Sequence, residues 1–261
     1  FDLRDDCRGT RGYCWNFEVS TFVDTTPPRV ESVIPRVSET SARNIVVQMN
    51  FFEAIDPISA SGTVAAGFQN ITLVPKGDAN LDGIYRISNG YRTVEFMTEP
   101  NGLCGVNSCG GNVYCLPENA ELAATIKAAA LAATGSPQAK FPYSGIVDMA
   151  SNSLDGNGNG QGEGQPADNY AWDFQTNGTI DLVPPAIESL KHVRRDGTVF
   201  IAPASPLPVS LADTEKPIEA QWSKVMMMST LKSPNVEFAS SDPTWYGWFS
   251  VRGKNAVAEI P

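Results

Sequence analysis

The stretch Tyr13-Cys14-Trp15-Asn16-Phe17, followed by Asp24-Thr25-Thr26-Pro27-Pro28-Arg29-Val30-Glu31-Ser32, occurs twice in this chain. The second copy is Tyr170-Ala171-Trp172-Asp173-Phe174, followed by Asp181-Leu182-Val183-Pro184-Pro185-Ala186-Ile187-Glu188-Ser189. Equivalent residues lie 157 positions apart without a gap, as Tyr170 does from Tyr13 and Ser189 from Ser32. Self-similarity on this scale makes the chain an array of like units. The aromatic residues of each copy alternate with other side chains, the period of a half-buried strand. Two consecutive prolines then fix φ and remove two donors, which ends a strand and sets an angle. Each copy therefore reads as the closing strand of one unit, a hinge (Pro27 and Pro28, or Pro184 and Pro185), and the opening strand of the next.

This division predicts a closing strand of a preceding unit in residues 1–23, a complete unit in 24–180 and the front half of another in 181–261. Phe1 is not expected to be the true start, and a longer chain is expected. Strands are predicted from Val30, over Ile45–Phe51, Asn70–Val74 and Tyr91–Phe96, and around Val113-Tyr114-Cys115. Ile218-Glu219-Ala220-Gln221-Trp222 repeats the alternation of Ile45–Phe51, and Lys254–Pro261 that of Tyr91–Phe96. Ser229-Thr230-Leu231 parallels Ile58-Ser59-Ala60. The run from Ala120 to Leu131 has helical propensity but falls where an antiparallel sheet needs a strand. Position decides, and a strand is predicted at about 121–128, with room for a helical turn after it. Long loops are expected at 76–90, 101–117 and 135–168, rich in Gly, Asn and Cys, and any private function should sit there. The fold class is all-β.

A net charge of −10 argues against nucleic acid as a partner, since that interface needs a basic face. No apolar run approaches the length of a membrane span. The five cysteines, Cys7, Cys14, Cys104, Cys109 and Cys115, fall into two tight groups around Gly-rich turns. Such spacing predicts short-range disulfides and an oxidising, extracellular or cell-surface location. Cys7 and Cys14 would clip a turn, the pairing among Cys104, Cys109 and Cys115 stays open, and the odd count leaves one thiol over. Zinc would need a fourth ligand, and the one histidine, His192, lies in another unit.

The order of these pieces resembles the bacterial Ig-like domains of S-layer and other large cell-surface proteins. The resemblance rests on Asp-x-x-Pro-Pro-x-Val/Ile at each entry. It rests also on Phe51-Phe52-Glu53-Ala54-Ile55-Asp56-Pro57 and Trp222-Ser223-Lys224-Val225-Met226 in the second strand. Further along come Gly145-Ile146-Val147-Asp148-Met149-Ala150-Ser151-Asn152, where Ser151 stands for the family's Gly, and then the closing Tyr-x-Trp-x-Phe. It implies tandem Ig-like β-sandwich modules and no catalytic residues, so no enzyme is expected.

Two loops carry the opening of a calcium-binding pattern, in which alternate oxygens face one centre. In the first, Asp78, Asn80 and Asp82 precede Gly83, and the twelfth position is Asn89 rather than a bidentate Glu. The competing reading is an Asx-rich turn. In the second, Asp155, Asn157 and Asn159 are followed by Glu163 and Asp168, with Pro166 at the twelfth position. Its rival is a flexible solvated loop. Trp245-Tyr246-Gly247-Trp248-Phe249 reads as a core strand before it reads as a glycan platform. Met226-Met227-Met228 reads as packing before it reads as a copper site.

The leading expectation is a structural segment of an S-layer, stalk or fibre, with Ca2+ as its ion and further modules or copies of the same chain as partners. An adhesin binding cell-surface glycans and the accessory modules of a large extracellular hydrolase are the alternatives. The lone closing strand in residues 1–23 also raises polymerisation by strand addition, with that strand as the donor.

Overall fold

The computed structural model describes residues 19, 21–107, 110–193, 196–203, 218–231, 252–254 and 257–260. The predicted strand in 1–23, the Cys7–Cys14 clip, Cys109 and the Trp245–Phe249 run lie outside the described residues.

The fold is all-β. In chain order the strands are β1 Val30–Ile34, β2 Thr40–Ser41, β3 Val47–Phe51, β4 Gly62–Thr63, β5 Ile71–Pro75, β6 Ile84–Ser88, β7 Thr93–Met97 and β8 Leu103–Val106. They continue with β9 Asn112–Tyr114, β10 Glu121–Ile126, β11 Tyr170–Thr176, β12 Ile187–Val193, β13 Val199–Pro203, β14 Ile218–Trp222, β15 Arg252–Lys254 and β16 Val257–Ile260. Helical structure among the described residues is limited to α1 (Pro57–Ala60) and two short 3-10 turns, Val64–Ala66 and Met228–Thr230.

One sheet runs β1-β3-β7-β6-β4 and a second runs β2-β11-β10-β5. Their inner faces share one core. Met49, Phe51, Val94 and Phe96 from the first sheet pack with Ile71, Leu73, Leu122, Ile126, Trp172 and Phe174 from the second. Tyr85 sits in the middle, its ring 5.0 Å from Phe68 and 4.7 Å from Phe96. The result is a two-layered β-sandwich.

The contested run after Ala120 is a strand. Leu122, Ala124 and Ile126 are buried on one face, and β10 is hydrogen-bonded on both edges, to β5 and β11. A helix there would leave two neighbouring strands unpaired and their donors and acceptors buried. Two loops hold more than was predicted. The 76–90 segment contains β6, because Tyr85 enters the core and its backbone pairs with Phe96. The 101–117 segment folds back as the β8–β9 hairpin.

The third sheet runs β13-β12-β14-β16-β15. Its β12, β14, β16 and β15 repeat the order of β1, β3, β7 and β6. Even the irregularities recur. Val30 pairs with Phe51 across a bulge before Ser32, and Ile187 pairs with Trp222 across a bulge before Ser189. The short helical turns follow at the same place, Pro57–Ala60 after β3 and Met228–Thr230 after β14.

Candidate functional site

The loop after Leu154 is built around two carboxylates. Asp155 is buried at the sandwich end, held by its N–H on the Pro28 carbonyl (2.8 Å). Its Oδ1 accepts the N–H groups of Gly158 (2.8 Å) and Asn159 (3.1 Å), and its Oδ2 accepts Gly160 N–H (2.8 Å). Asp168, fully buried, accepts the N–H groups of Glu163 and Gly164 on its Oδ2. Burial pushes its carboxyl up from the usual value, and those N–H groups pull it back. The chain thus coils around one point, and the Asn157 amide nitrogen stands there. It donates to Glu163 Oε2 (3.0 Å), Asp168 Oδ1 (2.9 Å) and, at 3.4 Å, the Ala167 carbonyl. Asn159 reaches the same Glu163 oxygen (2.7 Å), and these two amides hold the Glu163 carboxyl below its usual value. Gly156 is required by space: a Cβ there would meet the Asp168 carbonyl oxygen at 2.1 Å. The sequence-predicted residues Asp155, Asn157, Asn159 and Glu163 are therefore brought together, with Asp168 among them.

Among the described residues no hydrogen bond links Asp78, Asn80 and Asp82 to one another. Asp78 Oδ1 accepts Ala79 N–H (2.8 Å), Asn80 Oδ1 accepts Leu73 N–H (2.8 Å) and Asp82 Oδ2 accepts the Asn101 amide (2.6 Å). Each of the three serves a separate donor, as the side chains of an Asx-rich turn do.

Cys104 is bonded to Cys115, closing the β8–β9 hairpin with their Cα atoms 5.7 Å apart. The two proline pairs differ. Pro27 and Pro28 are buried, while Pro184 and Pro185 are exposed. The loop over 135–164 packs near the first pair, and it has no counterpart among the described residues of the third sheet. Pro27 and Pro28 are therefore packed residues of the central sandwich.

Sequence reasoning missed the joint between the central sandwich and the third sheet. Gln48 lies in β3 and Glu95 in β7. Both are buried, Glu95 completely. Gln48 donates to Met226 O (2.7 Å) and to Glu95 Oε1 (3.0 Å). Glu95 accepts Met228 N–H at 2.6 Å and Ser229 N–H at 3.2 Å, the first free donors of the 3-10 turn. The linker is held as well. Asn44 exchanges two hydrogen bonds with the Asp181 backbone (2.7 and 2.8 Å), and Lys224 Nζ reaches Asp181 Oδ1 (2.6 Å) and Val183 O (2.7 Å). Met226-Met227-Met228 is thus part of this packing.

No protein-family model matches the chain. No curated protein matches it either. Among solved structures it is similar to the S-layer protein rSbsC(31-844), at 14% identity and a TM-score of 0.30, over 75% of this chain and 24% of that one. It is similar also to surface layer protein SbsC, domains 1-6, at 12% identity and a TM-score of 0.32, over 76% of this chain and 24% of that one. The chain thus spans about a quarter of the length of the structures it matches.

Proposed function

We propose that the chain is a structural segment of an extracellular surface assembly, built from tandem Ig-like modules that are locked rather than merely strung together. The modules are 24–180 and the one that opens at 181. The observation that carries this reading is the buried Glu95 carboxylate, which belongs to one module and caps a helical turn of the next. A carboxylate is buried only against a specific set of donors, so a freely pivoting linker would leave it without its function. The Asn44–Asp181 exchange and the Lys224 contacts hold the same joint from the linker side. The role is one of spacing and stiffness, and the partners are further modules or other copies of the chain.

Calcium enters at the 155–168 loop. Asp155, Asn157, Asn159, Glu163 and Asp168 supply a set of hard oxygens, and the Asn157 amide is the group a cation would displace or turn over. Bound Ca2+ would stiffen a loop rich in glycine. Electron microscopy of the purified chain in calcium-containing buffer tests the assembly reading. Sheets or filaments support it, and a monodisperse monomer at high concentration contradicts it. Binding to a glycan array in the absence of any assembly would favour the adhesin instead.

A further inference from the structure

The internal repeat allows one module to be read against the other, atom by atom. Phe51 and Trp222 occupy the same register opposite Val30 and Ile187. The next residues make the same bond: Phe52 N–H donates to Arg29 O (3.1 Å), and Ser223 N–H donates to Ala186 O (2.8 Å). Glu53 is therefore the counterpart of Lys224, Asp24 of Asp181, and Thr26 of Val183. In the third sheet, the Lys224 ammonium lies between the Asp181 carboxylate and the Val183 carbonyl. In the central sandwich, the same spot faces a glutamate. The carboxylates of Asp24, Glu53 and Asp148 offer oxygens that all lie within 4.8 Å of one another. The positive charge of one copy has been replaced by a negative charge, and a third carboxylate has been added.

A second observation comes from Asn152, which is fully buried. Its amide nitrogen is aimed into this cluster. It donates to Asp148 Oδ2 (2.8 Å), Asp24 O (3.2 Å) and Thr26 O (3.4 Å). Its Oδ1 meets no donor from the protein. Turning the carboxamide over would point Oδ1 at three oxygens, which is favourable only with a cation between them. Asp148 is nearly inaccessible and already takes the N–H groups of Ala150 (2.8 Å) and Asn152 (2.7 Å). Burial first, and then the facing carboxylates, push Glu53 upward; Arg92 and Arg29 pull it down more weakly. Burial likewise pushes Asp148 up.

We infer that Asp24, Glu53, Asp148 and Asn152, with the Asp24 and Thr26 carbonyls, bind one Ca2+ in the position that the Lys224 ammonium holds in the following module. The donors are all hard oxygens of mixed type, which suits the large and adaptable shell of Ca2+ better than the strict octahedron of Mg2+. The ion would tie the entry segment Asp24–Thr26 to the 145–152 segment. This site is separate from the 155–168 loop and does not depend on it.

Calcium stoichiometry on the whole chain tests the inference, using calorimetry up to about 10 mM Ca2+, since extracellular sites bind at roughly 10⁻⁴ to 10⁻³ M. Glu53→Lys reproduces the lysine arrangement and should lose one binding event, while its melting temperature in EDTA equals or exceeds that of the wild type in EDTA. Glu53→Gln keeps the shape and decides the matter if the lysine variant misfolds; its affinity for that event should fall at least about tenfold. The double variant Asn159→Ala, Glu163→Gln should keep the event. A full calcium count with unchanged affinity in both Glu53 variants overturns the site. Loss of all binding in the loop variant alone overturns it too, and assigns the calcium to the loop. Equal occupancy by Mg2+ overturns the assignment to calcium.

Discussion

Glu95 Oε1 accepts the Met228 N–H at 2.6 Å, across the joint between the central sandwich and the third sheet. The equivalent turn in the central sandwich is capped from within, by Asp56 Oδ1 on Ile58 N–H at 2.6 Å. Met227 stands in the third sheet where Asp56 stands in the central sandwich. It offers no side-chain cap, and the preceding sandwich supplies one instead. Glu95→Ala should cost about 2 kcal/mol of the third sheet's stability, since the bonds lost are made to a buried charged group. Met227→Asp restores a local cap and should recover about 1 kcal/mol of that in the Glu95→Ala background. In the wild-type background it should not help, because it would face Glu95. Denaturant unfolding of the four variants measures the coupling.

Tyr85 carries its phenol into the core, where the oxygen finds no partner and burial pushes its ionisation well above the usual value. A buried hydroxyl without a partner costs about 1–3 kcal/mol. Tyr85→Phe keeps the ring contacts with Phe68 and Phe96. It should therefore raise the denaturation midpoint, and a clear loss of stability would show that the hydroxyl is satisfied.

Lys224 holds the Asp181 carboxyl below its ordinary value, chiefly through the hydrogen bond between them. A depressed carboxyl contributes stability above its unfolded value, near 4, and that contribution is lost as pH falls through the folded value. Asp181 is exposed, so the effect is no more than about 1 kcal/mol. Lys224→Met should flatten the acid limb of the third sheet's stability while leaving the central sandwich unchanged. Thermal unfolding from pH 6 to pH 2.5 reads this out.

The Cys104–Cys115 bond closes a short loop, with a sequence separation of 11. Chain-entropy reasoning puts its contribution at about 3 kcal/mol. The double Cys→Ser variant should lose about that much and keep its far-ultraviolet circular dichroism. Retention of full stability would mean that the β8–β9 hairpin is held by its backbone bonds alone.

Much of the fold could be read from residue order. The Tyr-x-Trp-x-Phe strand, the paired prolines and the alternation of Ile45–Phe51 mark β11, β1 and β3, and with them β12 and β14. The helical propensity after Ala120 misleads only until the flanking strands are counted. β6 was hidden because Tyr85 and Ile87 stand among turn residues. The site was less legible. Asp155, Asn157 and Asn159 stand at alternate positions of one short segment, so a local pattern finds them. Gln48 and Glu95 carry no motif, and strand alternation cannot report that the turn at Met226–Ser229 meets them. Asp24, Glu53, Asp148 and Asn152 come from three distant segments, and only the fold brings them together. Ser151 stands at φ 70° where the resembling family has glycine, and its hydroxyl meets the Tyr143 phenol at 2.7 Å. The glycine of the motif is thus explained by backbone conformation.

The claim that consecutive modules are locked is tested most directly by amide hydrogen exchange at Met228 and Ser229. Both N–H groups point at Glu95 rather than into a ladder of their own sheet. We expect protection at these two amides comparable to that of β14, lost in Glu95→Ala without change in β3 or β7. Exchange at the free-peptide rate in the wild-type chain would contradict the lock, and with it the reading of the chain as a stiff array.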